Sequence, residues 1–267
     1  MNIAFVLPYL AERFGGPVTV VKNIGKTLAA GGHNVSYWAT GDKCDREELV
    51  SMESVYLYDI QWPHSWHRSK NLVRGLSEVV GSVDIMHISG MWLHPTYAAS
   101  RIAHAYDVPY ILRPAGSLEP WCLRSTRFKW SKKKAYLNLV GKTMMRNAAC
   151  LHAVCSQEAE HFRLVGYRGP ITIIPNGVDT SEFTMGDGSE AEAYWPELKD
   201  RPVVLFMSRL SPEKGLDLLI PVWAELVKTS SYKDALLVVA GPDDRGYGGT
   251  VETMIEKCDV GSHTLLT

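Results

Sequence analysis

Met1-Asn2-Ile3-Ala4-Phe5-Val6-Leu7-Pro8, followed closely by Gly15-Gly16-Pro17 and then by Val20, Val21, Ile24 and Leu28, is the stretch on which the reading of the fold turns. The apolar run has no basic leader and is too short for the core of a signal sequence, so it reads as a buried strand. The glycine pair ends that strand, and proline suits the first turn of a helix. The apolar residues that follow give the helix one buried stripe, with Lys22 and Lys26 opposite, and Gly31-Gly32 supplies its C-terminal stop. Strand, glycine turn and amphipathic helix, in that order, are the opening unit of a parallel sheet crossed by helices.

The same alternation continues outward. Further strands are expected at Val35 to Ala39, Val55 to Tyr58, Asp84 to Ile88, Tyr110 to Arg113, Cys150 to Val154 and Ile171 to Ile174. After Pro175-Asn176-Gly177 the texture changes to a polar stretch rich in Gly, Glu, Asp and Pro, which reads as a linker. A second alternation restarts with Val203 to Met207, helices near Leu216 to Lys228 and Val251 to Lys257, and strands at Ala235 to Ala240 and His263 to Thr267. The expected organisation is an N-terminal Rossmann-like domain over 1–180, a linker over 181–200 and a partial C-terminal Rossmann-like domain over 201–267. Its three strands fall short of the roughly six that a doubly wound sheet uses, so this second domain is expected to be incomplete.

Composition narrows the function. A chain of 267 residues, 46% apolar and 21% charged, suits a globular α/β enzyme. A net charge of -1 argues against a nucleic-acid partner. The five cysteines are scattered, without the close pairs of a zinc or redox site, and read as reduced thiols in a cytosol. No apolar run approaches the roughly 18 residues of a membrane span. A cytoplasmic location is therefore expected.

Two turns carry the candidate chemistry. Gly15-Gly16-Pro17 stands between a strand and a helix N-terminus, where backbone amides and the helix dipole suit an anion; a plain tight turn fits the same residues. It is not the GxGxxG fingerprint of a nicotinamide-dinucleotide site. The second turn is Met207-Ser208-Arg209-Leu210-Ser211-Pro212-Glu213-Lys214-Gly215, again between strand and helix. The planar fork of Arg209 and the point charge of Lys214 suit a diphosphate leaving group whose charge grows as its bond breaks, whereas solvated loop charges would be the plainer account. Arg113, Ser117, Glu119 and Trp121 follow the carboxyl end of a strand, where α/β folds hold ligands, and are candidates for the acceptor side.

The string from Ser208 to Gly215 resembles the donor-phosphate motif of the retaining glycosyltransferases of family 4, of the GT-B fold, whose members often read GRL-x-x-x-KG. Ile174-Pro175-Asn176-Gly177-Val178-Asp179 is similar to that family's IPNGVD string, and Val239-Ala240-Gly241-Pro242-Asp243 to its AGPD turn. Gly15-Gly16 falls where the family has its glycine loop. The resemblance implies an α/β protein of GT-B type, two Rossmann-like parallel-sheet domains facing a cleft, that moves a sugar with retention from a nucleotide-diphosphate donor to a saccharide or lipid-linked acceptor in polysaccharide or glycoconjugate synthesis. It assigns Arg209 and Lys214 to the departing diphosphate as catalytic residues. Gly15, Gly16, Gly241, Arg113, Ser117, Glu119 and Asn176 become substrate-binding residues. The nucleotide-sugar is a co-substrate, and no cofactor or metal is expected; the nearest acidic pair, Asp243-Asp244, does not make the Asp-x-Asp of a metal-dependent transferase.

The chain also departs from the family. Where many relatives carry PHG it has Pro114-Ala115-Gly116, and of an HxHG string it keeps His87-Ile88-Ser89-Gly90, with His87 read as a core histidine. The family's pair of glutamates seven residues apart would lie beyond Thr267, which favours a rival reading as a non-catalytic fragment or binding module. A GT-B nucleotide-sugar epimerase is a second rival. From Pro120 to Gln157 there is no acidic residue, while Arg124, Arg127, Lys129, Lys132, Lys133, Lys134, Lys142 and Arg146 are basic. With Tyr136, Leu139, Val140 and Thr143 as its apolar stripe, the segment 124–146 reads either as a basic amphipathic helix for peripheral contact with the inner membrane face or as a core-packed helix with a solvated positive face.

Overall fold

Short runs rich in Val, Ile and Leu become parallel strands in the computed structural model. It describes residues 1–267 except Val50, Ser51, Glu53, Ser125, Thr126, 181–185, Asp187, Asp244 and Arg245, and only the backbone at Lys43, Trp121, Arg124 and 127–130. The linker residues 181–185 and 187, Asp244, and the side chains of Trp121, Arg124, Arg127 and Lys129 thus lie outside the described residues. The chain divides into two compact units, Met1–Thr180 and Ser181–Thr267.

In the first unit, β1 (Asn2–Val6), β2 (Asn34–Thr40), β3 (Val55–Tyr58), β4 (Ile85–Ser89), β5 (Tyr110–Arg113), β6 (Cys150–Ala153) and β7 (Ile171–Ile173) form one sheet in the order β3-β2-β1-β4-β5-β6-β7. Each expected strand is present, with ends shifted by a residue where backbone pairing outruns or stops short of the apolar run. Alternation sorts the two faces. Ala4, Val6, Met86, Ile88 and Leu112 enter one buried cluster, while Ile3, Phe5 and Leu7 join Val18 and Val21 in another. Crossovers include α1 (Gly16–Ala30), α2 (Lys43–Leu49), α3 (Lys70–Val79) and α4 (His94–Ala105). The strand order turns back between β1 and β4, which opens a crevice at their carboxyl ends.

Two helices differ from the sequence reading. Along α1 the fully buried positions are Val18, Val21 and Gly25, and Val20 is only half-buried. Lys22 is not solvated: its side chain is 17% exposed and its Nζ reaches Glu12 at 3.2 Å and Glu48 at 3.7 Å. Further on, α5 (Pro120–Arg124) and α6 (Arg127–Tyr136) lead into a π-helical turn, Leu137–Gly141, continued by α7 (Lys142–Asn147). Leu137, Gly141, Met144 and Met145 are the buried positions, and Leu139, expected on the apolar stripe, is 79% exposed because two residues on from Leu137 it stands on the opposite side of the helix. After α8 (Ser156–Leu164) and β7 the unit ends.

The second unit holds α9 (Ser189–Tyr194), β8 (Val203–Met207), α10 (Leu216–Leu226), β9 (Leu236–Ala240), α11 (Gly248–Lys257) and β10 (Thr264–Leu266), with sheet order β10-β9-β8. The helix α9 falls inside the expected linker. Its Ser-Glu-Ala-Glu-Ala-Tyr sequence combines good helix formers with Glu190 and Glu192 in the first turn. Its core gathers Leu216, Ile220, Trp223, Leu237, Val239 and Val251. The β8 strand is at the edge of the sheet, where Val203, Val204, Leu205 and Met207 are exposed. Among the described residues no helix is long and apolar enough to cross a membrane.

Candidate functional site

At the carboxyl edge of the first sheet, Gly15 takes φ 72°, a conformation open to glycine, and caps α1 without any side-chain bond. A Cβ built on Gly15 or Gly16 would meet nothing within 4 Å. The pair is therefore not demanded by packing on Gly16's side, and it leaves the positive end of α1 open to an incoming group. Pro17 shares a hollow of about 70 Å³ with Pro8, Ser89, Gly90, Pro114, Ala115 and Ser117. The start of α1 and the loop after β5 thus meet at the switch point. Ala115 stands at φ 52°, a strained position for a residue with a Cβ, and Glu119 folds back so that its Oε1 would be 3.6 Å from a Cβ on Gly116.

Beneath this edge runs a buried polar chain. Ser89 Oγ approaches His87 Nδ1 at 3.3 Å, His87 Nε2 approaches His152 Nδ1 at 3.4 Å, and His152 Nε2 lies 2.9 Å from the Ile174 carbonyl. The carbonyl only accepts, so His152 donates from Nε2, and the neutral tautomers order the chain from Ser89 towards Ile174. Burial first, then His152 and Arg113, push His87 down to about 3. Burial also lowers His152, with Arg113 adding to it while the Ile174 carbonyl opposes. His87 packs against Phe5 at 5.0 Å between ring centroids, as a core histidine should.

Arg113, 2% exposed, donates from Nη2 to Asn176 Oδ1 at 2.7 Å. Burial pulls its guanidinium below the ordinary value, and nearby Glu158 opposes this. Its Nε and Nη1 have no hydrogen-bond partner among the described residues. The side chain therefore ties the end of β5 to the Pro175-Asn176-Gly177 turn and keeps donors in reserve. Glu158, absent from the sequence reading, is 3% exposed and accepts from the amides of Gly116 at 2.6 Å and Val154 at 2.7 Å. Its signal was an acidic residue at the third position of α8, where the helix dipole favours it.

In the second unit, the loop after β8 is fastened to the loop after β9. Ser208 N donates to the Ala240 carbonyl at 3.0 Å and Leu210 N to the Pro242 carbonyl at 2.9 Å. Gly241, at φ 144°, permits this approach: a Cβ there would lie 2.0 Å from the Ser208 carbonyl oxygen. Leu210 and Ser211 are buried anchors, Pro212–Lys214 forms one tight turn, and Gly215 at φ 75° opens α10. The anchored loop presents Arg209 and Lys214 on its exposed side. Arg209 Nη2 is 3.9 Å from Glu213 Oε1, a loose contact for a side chain 46% exposed. Asp243 accepts from the amides of Tyr247 at 2.7 Å and Gly248 at 2.9 Å, and so serves the start of α11.

Residues 14–182 match the family model described as Glycosyltransferase Family 4. The chain belongs to Glycosyltransferase Family 4. Residues 189–267 of this family-4 chain match a second model, Glycosyl transferases group 1. Over 97 residues, 35% of the chain, it is 36% identical to the GDP-mannose-dependent alpha-(1-6)-phosphatidylinositol monomannoside mannosyltransferase of Mycolicibacterium smegmatis, 24% of which is covered. Over 80 residues it is 31% identical to the D-inositol 3-phosphate glycosyltransferase of Nocardia farcinica, 18% of which is covered. The matched stretches thus span a quarter or less of these curated relatives. The fold is like that of Anabaena Alr3699/HepE, solved in complex with UDP, with a TM-score of 0.71 and 18% identity over 100% of this chain and 68% of that one. The GT-B type α/β fold expected from the motifs is the fold observed.

Proposed function

We propose that this family-4 chain serves sugar transfer from a nucleotide-diphosphate donor to a saccharide or lipid-linked acceptor hydroxyl, with retention of anomeric configuration. The observation that carries the reading is the anchored loop Ser208–Gly215, which holds two exposed cations, Arg209 and Lys214, at the carboxyl end of a parallel strand. As the bond from the anomeric carbon to the phosphate oxygen breaks, its electron pair goes to the diphosphate, and fixed cations offset that growing charge. The acceptor oxygen bonds to the same face of the anomeric carbon, and its proton passes to the departing phosphate. Gly15 and Gly16 offer helix-terminal amides to an anion, Gly241 lets the two nucleotide-side loops close together, and Arg113, Asn176, Ser117 and Glu119 shape the acceptor side. Binding of UDP by Alr3699/HepE, as its structure is described, supports a nucleoside diphosphate as the ligand to try first.

The test is calorimetric titration of the chain with UDP, GDP and ADP, followed by assay with the matching nucleotide-sugars. One nucleoside diphosphate should bind, and Arg209→Ala or Lys214→Ala should weaken it about tenfold or more. Release of the diphosphate only when an acceptor is added supports transfer. Interconversion of the sugar without acceptor makes the protein an epimerase, and tight binding without turnover by the full natural chain makes it a binding module; either result overturns the proposal.

A further inference from the structure

The basic segment after β5 is used by no part of the sugar chemistry, and the structure gives it a distinct shape. α6, the π-helical turn and α7 form one helical run in which Tyr136, Leu137, Gly141, Met144 and Met145 face inward, wholly or in part. Lys133 also turns in, with Nζ donating to the Cys122 carbonyl at 2.6 Å and standing 5.5 Å over the Trp92 ring. On the outer side are Lys132, Lys134, Leu139, Lys142 and Arg146. Two residues after the buried Leu137 and two before the buried Gly141, Leu139 stands on the opposite side of the run, 79% exposed. Leu139 and Val140 form one wall of a groove of about 150 Å³ whose other wall is α4, with Tyr97, Ser100 and Arg101. Neither α4 nor the run from Pro120 to Gln157 contains an acidic residue.

We propose that this face, with Leu139 at its centre and Arg101, Lys142 and Arg146 around it, docks on the surface of a bilayer containing anionic phospholipid. The chemistry of both parts fits that one partner. Basic side chains near a membrane gain from the negative headgroup potential, and an apolar side chain set among them gains by entering the headgroup boundary. A nucleic acid would use the cations but leave Leu139 in water. The chain as a whole is not basic, at a net charge of -1, so the charge is concentrated where a surface would need it. The docking does not depend on the transferase reading.

Co-sedimentation with phosphatidylglycerol-phosphatidylcholine vesicles, against phosphatidylcholine alone, tests it. The chain should partition to the anionic vesicles and lose that partition as salt is raised. Lys142→Glu with Arg146→Glu should weaken it by about twentyfold or more, and Leu139→Asp by about tenfold. These side chains are exposed, so circular dichroism and melting should be unchanged, and Leu139→Trp serves as a second variant that should strengthen binding and shift its emission to the blue. Failure to bind anionic vesicles, equal binding to phosphatidylcholine alone, or indifference to Leu139→Asp would each sink the proposal. Equally tight binding to duplex DNA that ignores Leu139→Asp would also overturn it, by making the face a general polyanion site.

Discussion

The first unit buries Arg113, Glu158, His87 and His152 under the edge where its loops gather, whereas among the described residues of the second unit the buried polar side chains come down to Ser211. In the second unit the charged groups of interest, Arg209 and Lys214, stand exposed on a loop whose backbone is fixed by its neighbour. The two glycine positions differ in the same sense. A side chain on Gly16 would meet open space, while one on Gly241 would strike the Ser208 carbonyl at 2.0 Å. Polar chemistry is thus part of the architecture in one unit and mounted upon it in the other. Substitutions in the first unit should therefore disturb stability and site together, and the cations of the second should separate the two.

Gly241→Ala should have the largest effect, because neither the backbone conformation at φ 144° nor the Ser208 carbonyl can give way cheaply. We expect a loss of about 3 kcal/mol or more, read from the urea midpoint of the second unit; a near-normal midpoint would show that the two loops are not firmly joined. Acid comes next. His87 and His152 have folded pKa values below those of the unfolded chain, so the unfolded state takes up protons first as pH falls. Their contribution is intact above about 6.5 and is lost progressively from there towards about 3. Hydrogen exchange should therefore show β4 and β6 loosening in mild acid before β9, and simultaneous loosening of both units would remove the distinction.

Glu158→Gln should cost about 2 kcal/mol, since the amide has one carbonyl oxygen for the two backbone donors of Gly116 and Val154. Thermal melting of the variant checks this. Arg209→Ala and Lys214→Ala should move the melting curve least, by under about 0.5 kcal/mol, while lowering the proposed sugar transfer about a hundredfold. A melting loss comparable to that of Glu158→Gln would mean that these cations too are structural.

Most of the sheet was legible because parallel strands buried on both faces are written as continuous Val, Ile and Leu runs, and Leu236 to Ala240 admits little else. The loop cations were legible from their place between strand and helix. Glu158 was not, because a carboxylate at the start of a helix looks like an ordinary dipole partner until the amides it accepts from are known. The polar chain from Ser89 to Ile174 depends on pairing between distant strands, which a single sequence does not display. Leu139 reads as apolar stripe because the true buried face, Leu137, Gly141, Met144 and Met145, includes a glycine and is weakly written, and α9 reads as linker because it has no buried face to give it apolar periodicity.

The edge position of β8 has a consequence for anyone handling this chain. In the sheet formed by the described residues only β9 pairs with β8, and the open side of β8, with the exposed Val203, Val204, Leu205 and Met207, offers a ready template for another strand. Concentration, rather than chemistry, will then govern how a preparation of these residues behaves: turbidity should rise with it, and a single lysine in place of Leu205 should be the gentlest way to keep the solution clear.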